Sequence, residues 1–267
     1  MWRIAVIAAG LAACSFEHGT AASGDAISVD MATPPEDGKP DTPLVMPMGV
    51  VARWEFDETS GTVAADTSGV GTPLDLAFVD ALPTGTWAGG ALHLTAETRM
   101  RSGPATKIYE ACSTSDAVTV EAWIRPADNL QTGPARVLSI SSDTVTRNVM
   151  LAQIGATFVS RVRTSNTDNN GTPELGTGAV IAGTPALMHV VITADSGERL
   201  IYVNGQERGK DALGGDFGSW DATLPVLVGN EEAPAVNRAW LGELHRIVVY
   251  CRRLPESEIK ALHAQGL

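Results

Sequence analysis

The sequence predicts an all-β protein, a β-sandwich or jelly roll, with a short C-terminal helix. Three observations carry this expectation. Beyond residue 48 the chain breaks into many short runs of β-branched and apolar residues separated by Gly, Asn, Asp and Ser. No helical periodicity interleaves these runs, which removes the alternating β–α architectures. No unit of roughly 20–50 residues repeats, which removes propellers and solenoids.

The elements follow in chain order. "VVARWEF" (50–56) alternates, so as a strand it places Trp54 and Phe56 on one side and Glu55 and Asp57 on the other. "AVTVEAWIRP" (117–126) sets Val118, Val120, Ala122 and Ile124 on one face. "RVLSIS", "NVMLAQI" and "TFVSRVRTS" supply three more strands. "LMHVVITADSGERLIYVNGQE" reads as strand, turn at Asp195-Ser196-Gly197, strand, and tight turn at Asn204-Gly205. Asn-Gly is a strong hairpin signal because both residues tolerate positive φ. "LPVLVGN" and "GELHRIVVYCRRL" are the late strands. Pro255 then suits a first helical turn, and Glu258, Ile259 and Leu262 make one short helical stripe.

Bulk properties bound the function. The 267 residues are 44% hydrophobic and 19% charged, enough for one large all-β domain or two small ones. The net charge is −12, from 19 Lys+Arg against 31 Asp+Glu, so nucleic acid is excluded as a partner by repulsion. The five histidines show no metal-ligand spacing, and neither a Gly-x-Ser-x-Gly elbow nor a phosphate loop occurs.

The N-terminus "MWRIAVIAAGLAAC" has one early cation, Arg3, and an apolar run from Ile4 to Ala13, too short to span a bilayer. Leu11-Ala12-Ala13-Cys14 resembles the lipobox of bacterial lipoproteins. The resemblance implies a signal peptide over 1–13, lipidation of Cys14 and a membrane lipid anchor. Ser15 after the cysteine, rather than Asp, implies the outer membrane of a Gram-negative cell envelope; a plain secretory peptide is the alternative. Residues 14–47 form an acidic, Pro-rich tether with almost no aromatic residue, a composition that cannot bury enough apolar surface to fold. Such a flexible chain spans roughly 30 Å on average. The jelly roll occupies 48–267. With Cys14 assigned to lipid, Cys112 and Cys251 read as a disulfide in an oxidising compartment, with two free thiols the alternative.

Five stretches in order resemble laminin-G-like domains of the concanavalin A-like lectin/glucanase superfamily. They are "ARWEFDETSG" (52–61) with Asp66-Thr67-Ser68-Gly69, "WAGGALHL", "VTVEAWIRP", "MHVVITADSGERLIYVNGQE" and "WLGELHRIVVYCRRLPESEI". The likeness covers about 49–267. It implies a two-sheet antiparallel jelly-roll β-sandwich with paired first and last strands, and it implies no single function, since the fold serves lectins, adhesion modules and some enzymes. The superfamily's glucanases use Glu-x-Asp-x-Glu; here Thr59 stands third after Glu55 and Asp57, so one essential carboxylate is missing and no catalytic residue is assigned. Members often hold a structural calcium, for which Asp66 is the nominated ligand. His245, where relatives carry an acid, weakens that expectation, and Asp66 as a turn residue is the alternative. No other cofactor is implied.

Binding is the class these residues favour, with a polysaccharide or a surface protein as partner. "TSNTDNNGTPE" clusters Asn166, Asp168, Asn169 and Asn170, whose side chains can bond sugar hydroxyls. "GGDFGSWDAT" offers Asp216 and Asp221 beside Phe217 and Trp220 as flat platforms. The competing expectation is that these loops only shape turns and that Trp220 packs inside. A glycoside hydrolase of the concanavalin A-like glucanase type is the alternative, and a structural envelope component a further one.

Overall fold

The computed structural model describes residues 47–79, 86–232 and 238–267. The signal peptide, Cys14 and the tether up to residue 46 lie outside them. Within this region the strands are β1 (Val50–Trp54), β2 (Val63–Ala64), β3 (Leu76–Phe78), β4 (Trp87–Ala88), β5 (Ala91–Leu94) and β6 (Met100–Pro104). Helix α1 (Thr106–Ser115) precedes β7 (Ala117–Pro126), β8 (Ala135–Ser141), β9 (Arg147–Ile154), β10 (Thr157–Val162) and β11 (Leu175–Gly176). The chain continues through β12 (Met188–Asp195), β13 (Glu198–Val203), β14 (Gln206–Ala212), β15 (Pro225–Val228), β16 (Gly242–Tyr250) and helix α2 (Glu256–Gln265).

Two antiparallel sheets stack as a sandwich. The first runs β14-β13-β12-β7-β16-β5-β4, and β1 adds to β16; the second runs β11-β10-β9-β8-β15-β6-β3-β2. The first and last strands pair, with Trp54 opposite Ile247. Alternation explains the core: Val118, Val120, Ala122 and Ile124 of β7 all enter the layer between the sheets, facing residues such as Val149, Leu151 and Val226 from the second sheet. The Asn204-Gly205 turn has φ of 52° and 72°, the mirror-image geometry that matches strand twist.

Helix α2 covers the outer face of the first sheet. Its Ile259 and Leu262 pack on Val191, Tyr202, Val248 and Tyr250. Helix α1 is an addition to the expected elements. Only Ile108 and Cys112 of it are buried, and no side chain caps its N-terminus, so its sequence carries little helical signal. It is held instead by the Cys112–Cys251 disulfide, which ties it to the end of β16. Among the described residues no helix is long and apolar enough to cross a membrane.

Candidate functional site

The acids of "WEFDETSG" do not share a strand face. β1 ends at Trp54, and Phe56 takes φ 52°, so the alternation breaks and Trp54 and Phe56 are both fully buried. Glu55 sits between two guanidiniums: Arg53 Nε donates to one oxygen, and Arg246 Nε to the other at 2.8 Å. Asp57 is exposed, and Glu58 accepts from the Ala65 amide at 2.8 Å. This stretch is a pinned loop.

Asp66 lies with its side chain buried. Its Oδ1 accepts the amides of Arg53 (3.2 Å) and Ser68 (3.0 Å), and Oδ2 accepts the Leu74 amide (2.9 Å) and the Lys107 ammonium. Lys107 Nζ also reaches the Val70 carbonyl at 2.8 Å. Burial alone raises the Asp66 carboxyl, but Lys107 and the amides outweigh it and hold it below the ordinary carboxylate range. Four donors fill its lone-pair directions, and a lysine already supplies the cation. The residues at Asp66 therefore do not fit calcium.

The two polar loops do come together. The Ser165 amide donates to the Asp216 carbonyl at 2.9 Å, and the Asp216 amide to Ser165 Oγ at 3.0 Å. Gly215 permits the approach: it has φ 78°, and a Cβ there would stand 2.8 Å from the Asn166 nitrogen. Asn166, Asp168, Asn169 and Asp216 are exposed on this rim. Asp168 also shapes its own loop, accepting the Asn170 amide (3.0 Å), the Thr172 amide (2.8 Å) and the Thr172 hydroxyl (2.6 Å). Asp221 caps a turn through Thr223. The platform expectation for Trp220 is corrected. The ring is 4% exposed, stacks on buried Phe217 at 4.7 Å, and spends its Nε1–H on the Arg163 carbonyl at 2.7 Å.

Sequence reasoning missed what adjoins this rim on the outer face of the second sheet. Bulges aim two arginines there: the β8–β9 register pairs Arg136 with Ala152 and, after a shift, Ser141 with Arg147. Glu231 binds both, with Oε2 2.9 Å from Arg136 Nε and 3.5 Å from Arg147 Nη1, while Oε1 accepts the Ser141 hydroxyl at 2.5 Å. All three charged side chains are essentially sealed from solvent. Burial, then the charge of Arg136, lowers the Arg147 guanidinium to about 10. Arg147 Nε donates to Asn170 Oδ1 at 2.7 Å, so this cluster supports the rim directly. The available signal was polar residues alternating within apolar "RVLSIS"; the bulges leave no mark in one sequence.

On the outer face of the first sheet, Glu121 receives the Tyr250 hydroxyl at 2.6 Å and lies 3.1 Å from His189 Nε2. Burial raises Glu121, but His189 and Tyr250 outweigh it and the carboxyl falls below its ordinary value. His189, Trp123 and His263 of α2 form a cluster of three rings, with centroids 4.6 Å (Trp123–His189), 5.7 Å (His189–His263) and 6.0 Å (Trp123–His263) apart. This network fastens α2 to the sheet.

A botulinum neurotoxin serotype C1 binding domain superposes with a TM-score of 0.59 at 11% identity, over 82% of this chain and 52% of that one. A Trypanosoma rangeli sialidase in complex with sialic acid gives 0.56 at 18% identity, over 82% of this chain and 33% of that one. The binding domain of botulinum neurotoxin DC, in complex with SialylT, gives 0.56 at 13% identity, over 81% of this chain and 51% of that one. This chain thus spans about half the length of the toxin domains and a third of the sialidase, and these likenesses describe the fold. A search of curated proteins gives no match. The sequence profile of the concanavalin A-like lectin/glucanases superfamily matches residues 101–260, from β6 into α2. The chain belongs to the concanavalin A-like lectin/glucanases superfamily.

Proposed function

We propose that this chain is a non-catalytic carbohydrate-binding module whose site is the rim joining residues 164–174 and 214–223. The observation that carries this reading is the reciprocal Ser165–Asp216 cross-link, which holds exposed Asn166, Asn169 and Asp216 in one rigid polar patch. A site whose polar groups are ordered before the ligand arrives loses less entropy on binding. Neighbours of the same fold were captured with sialic acid or SialylT, which supports a sugar as the class of ligand.

The non-catalytic reading is supported by the state of the acids. Glu55 is neutralised by Arg53 and Arg246, and Glu231 by Arg136 and Arg147, so neither is placed to exchange a proton with a substrate. In this proposal Cys14 carries the lipid and the tether presents the domain outside the cytoplasm, at the envelope surface, where polysaccharides lie within reach.

A glycan array with the purified protein tests the reading. Binding to at least one polymer, lost in an Asn166→Ala/Asn169→Ala double variant of unchanged Tm, is the expected outcome. Binding to no glycan on the array, or undiminished binding of the same glycan by the double variant, contradicts it.

A further inference from the structure

We infer that helix α2 is an acid-released cover: proton uptake at His263, against the parallel ring of His189, lifts it from the outer face of the first sheet while the sandwich stays folded. The inference does not depend on the binding reading above.

The attachment of α2 is the first ground. Within the helix only Ile259 and Leu262 are buried. They lie on Val191, Tyr202, Val248 and Tyr250, a cluster separate from the core between the sheets. The Arg252–Glu258 ion pair at its start is partly exposed, and such pairs add little. An element held by so few buried side chains can open by itself, without the sheet beneath it.

The second ground is what surrounds His263. Its ring lies 5.7 Å from that of His189 on β12, with 9° between the planes, and 6.0 Å from that of Trp123 on β7. The Asn204-Gly205 turn also closes on it, since a Cβ on Gly205 would stand 3.3 Å from His263 Cδ2. His263 Nδ1 and His189 Nδ1 are both buried, and neither has a hydrogen-bond partner among the described residues. Trp123 Nε1, which can only donate, is in the same state. A neutral imidazole tolerates this, because Nδ1 can be its bare nitrogen. The cationic ring carries N–H on both nitrogens, so proton uptake creates a buried charged donor with nothing to accept it.

The third ground is that the neighbouring charges do not answer that donor. Glu121 of β7, behind His189, is already engaged. Its Oε1 lies 3.1 Å from His189 Nε2, its Oε2 accepts the Tyr250 hydroxyl at 2.6 Å, and Arg246 of β16 adds its charge. On α2 itself Lys260, one turn before His263, is a cation paired with Glu256. Burial and the charge of His189 both oppose proton uptake at His263. The docked helix thus refuses a proton that the free helix takes up near pH 6.5. Docking is complete above that pH and weakens as pH falls below it.

Hydrogen exchange of the whole purified protein, read by mass spectrometry at about pH 7.5 and 5.5 and corrected for the intrinsic rates, tests this. Residues 256–265 are expected to lose protection on the order of tenfold at the lower pH, while β7 and β12 keep theirs. In His263→Leu, which cannot take up the proton, α2 is expected to stay protected at both pH values. Unchanged protection of α2 in the wild type overturns the inference. So does loss of protection in α2, β7 and β12 together, or an equal loss in His263→Leu. If that variant loosens α2 already at the higher pH, an NMR titration of the wild-type His263 ring decides. Release of the helix in step with the ring's titration supports the inference; a helix that stays protected through it overturns it.

Discussion

The ammonium of Lys107 rests on the buried carboxylate of Asp66, 41 residues away in the chain, and supplies that carboxylate with its cation. The loop from Asp66 to Leu74 is thereby closed by a side chain. Thermal unfolding in EDTA and in millimolar calcium is expected to give the same Tm. Lys107→Met leaves the carboxylate with amide donors only and should cost about 3 kcal/mol, the low end of the range for breaking a buried pair, because Lys107 is partly exposed. A calcium-dependent Tm in the wild type contradicts this account of Asp66.

The same pair gives a pH dependence. The Asp66 carboxyl is depressed in the folded state, so its contribution is present above the ordinary carboxylate value near pH 4 and is lost as pH falls through the folded value. Acid unfolding of Asp66→Asn is expected to be shallower below pH 4 than that of the wild type, checked by circular dichroism.

His263 sets a second pH dependence, in a different window. It faces His189 and Trp123, with Glu121 behind His189, and burial followed by the charge of His189 lowers its pKa. The unfolded chain takes up a proton near pH 6.5 that the folded chain refuses, so stability falls as pH drops below about 6.5. His245, lowered by burial against the opposing pull of Glu243, acts in the same direction. The Tm difference between pH 7.5 and pH 5.5 is expected to shrink in His263→Asn and again when His245→Asn is added.

Trp220 holds the rim from below. Trp220→Ala should cost about 3–5 kcal/mol, as for other buried aromatic truncations, because it removes the stack on Phe217 and the bond to the Arg163 carbonyl. Trp220→Phe keeps the stack and is expected to lose less. Chemical denaturation measures both; a near-neutral Trp220→Ala contradicts the packed role.

The disulfide anchors an otherwise weak helix. Cys112→Ser/Cys251→Ser is expected to lose about 2–5 kcal/mol, and α1 should be the first segment to exchange amide hydrogens.

The elements dictated by local alternation were legible in the sequence: the inward set of β7, the Asn204-Gly205 hairpin and the stripe of α2 each follow from their own residues. The cysteine pair was legible from counting and compartment. The candidate rim was half legible, since polar richness marked both loops while their union depends on Gly215 meeting Asn166. What stayed hidden depends on distant partners. Lys107 reaches Asp66 across 41 residues, Glu231 meets Arg136 across 95 and Arg147 across 84, and Trp220 turns inward toward Arg163, 57 residues back. Helix α1 stayed hidden because a covalent bond and two buried contacts hold it, without an apolar stripe.

The central claim is recognition without catalysis, and one mixture tests it. Incubated with the protein, the polymer that it binds on the glycan array is expected to co-sediment with it and to gain no new reducing ends over a day. Release of reducing ends that Glu55→Gln or Glu231→Gln abolishes would contradict the claim, as would a polymer that stays wholly unbound.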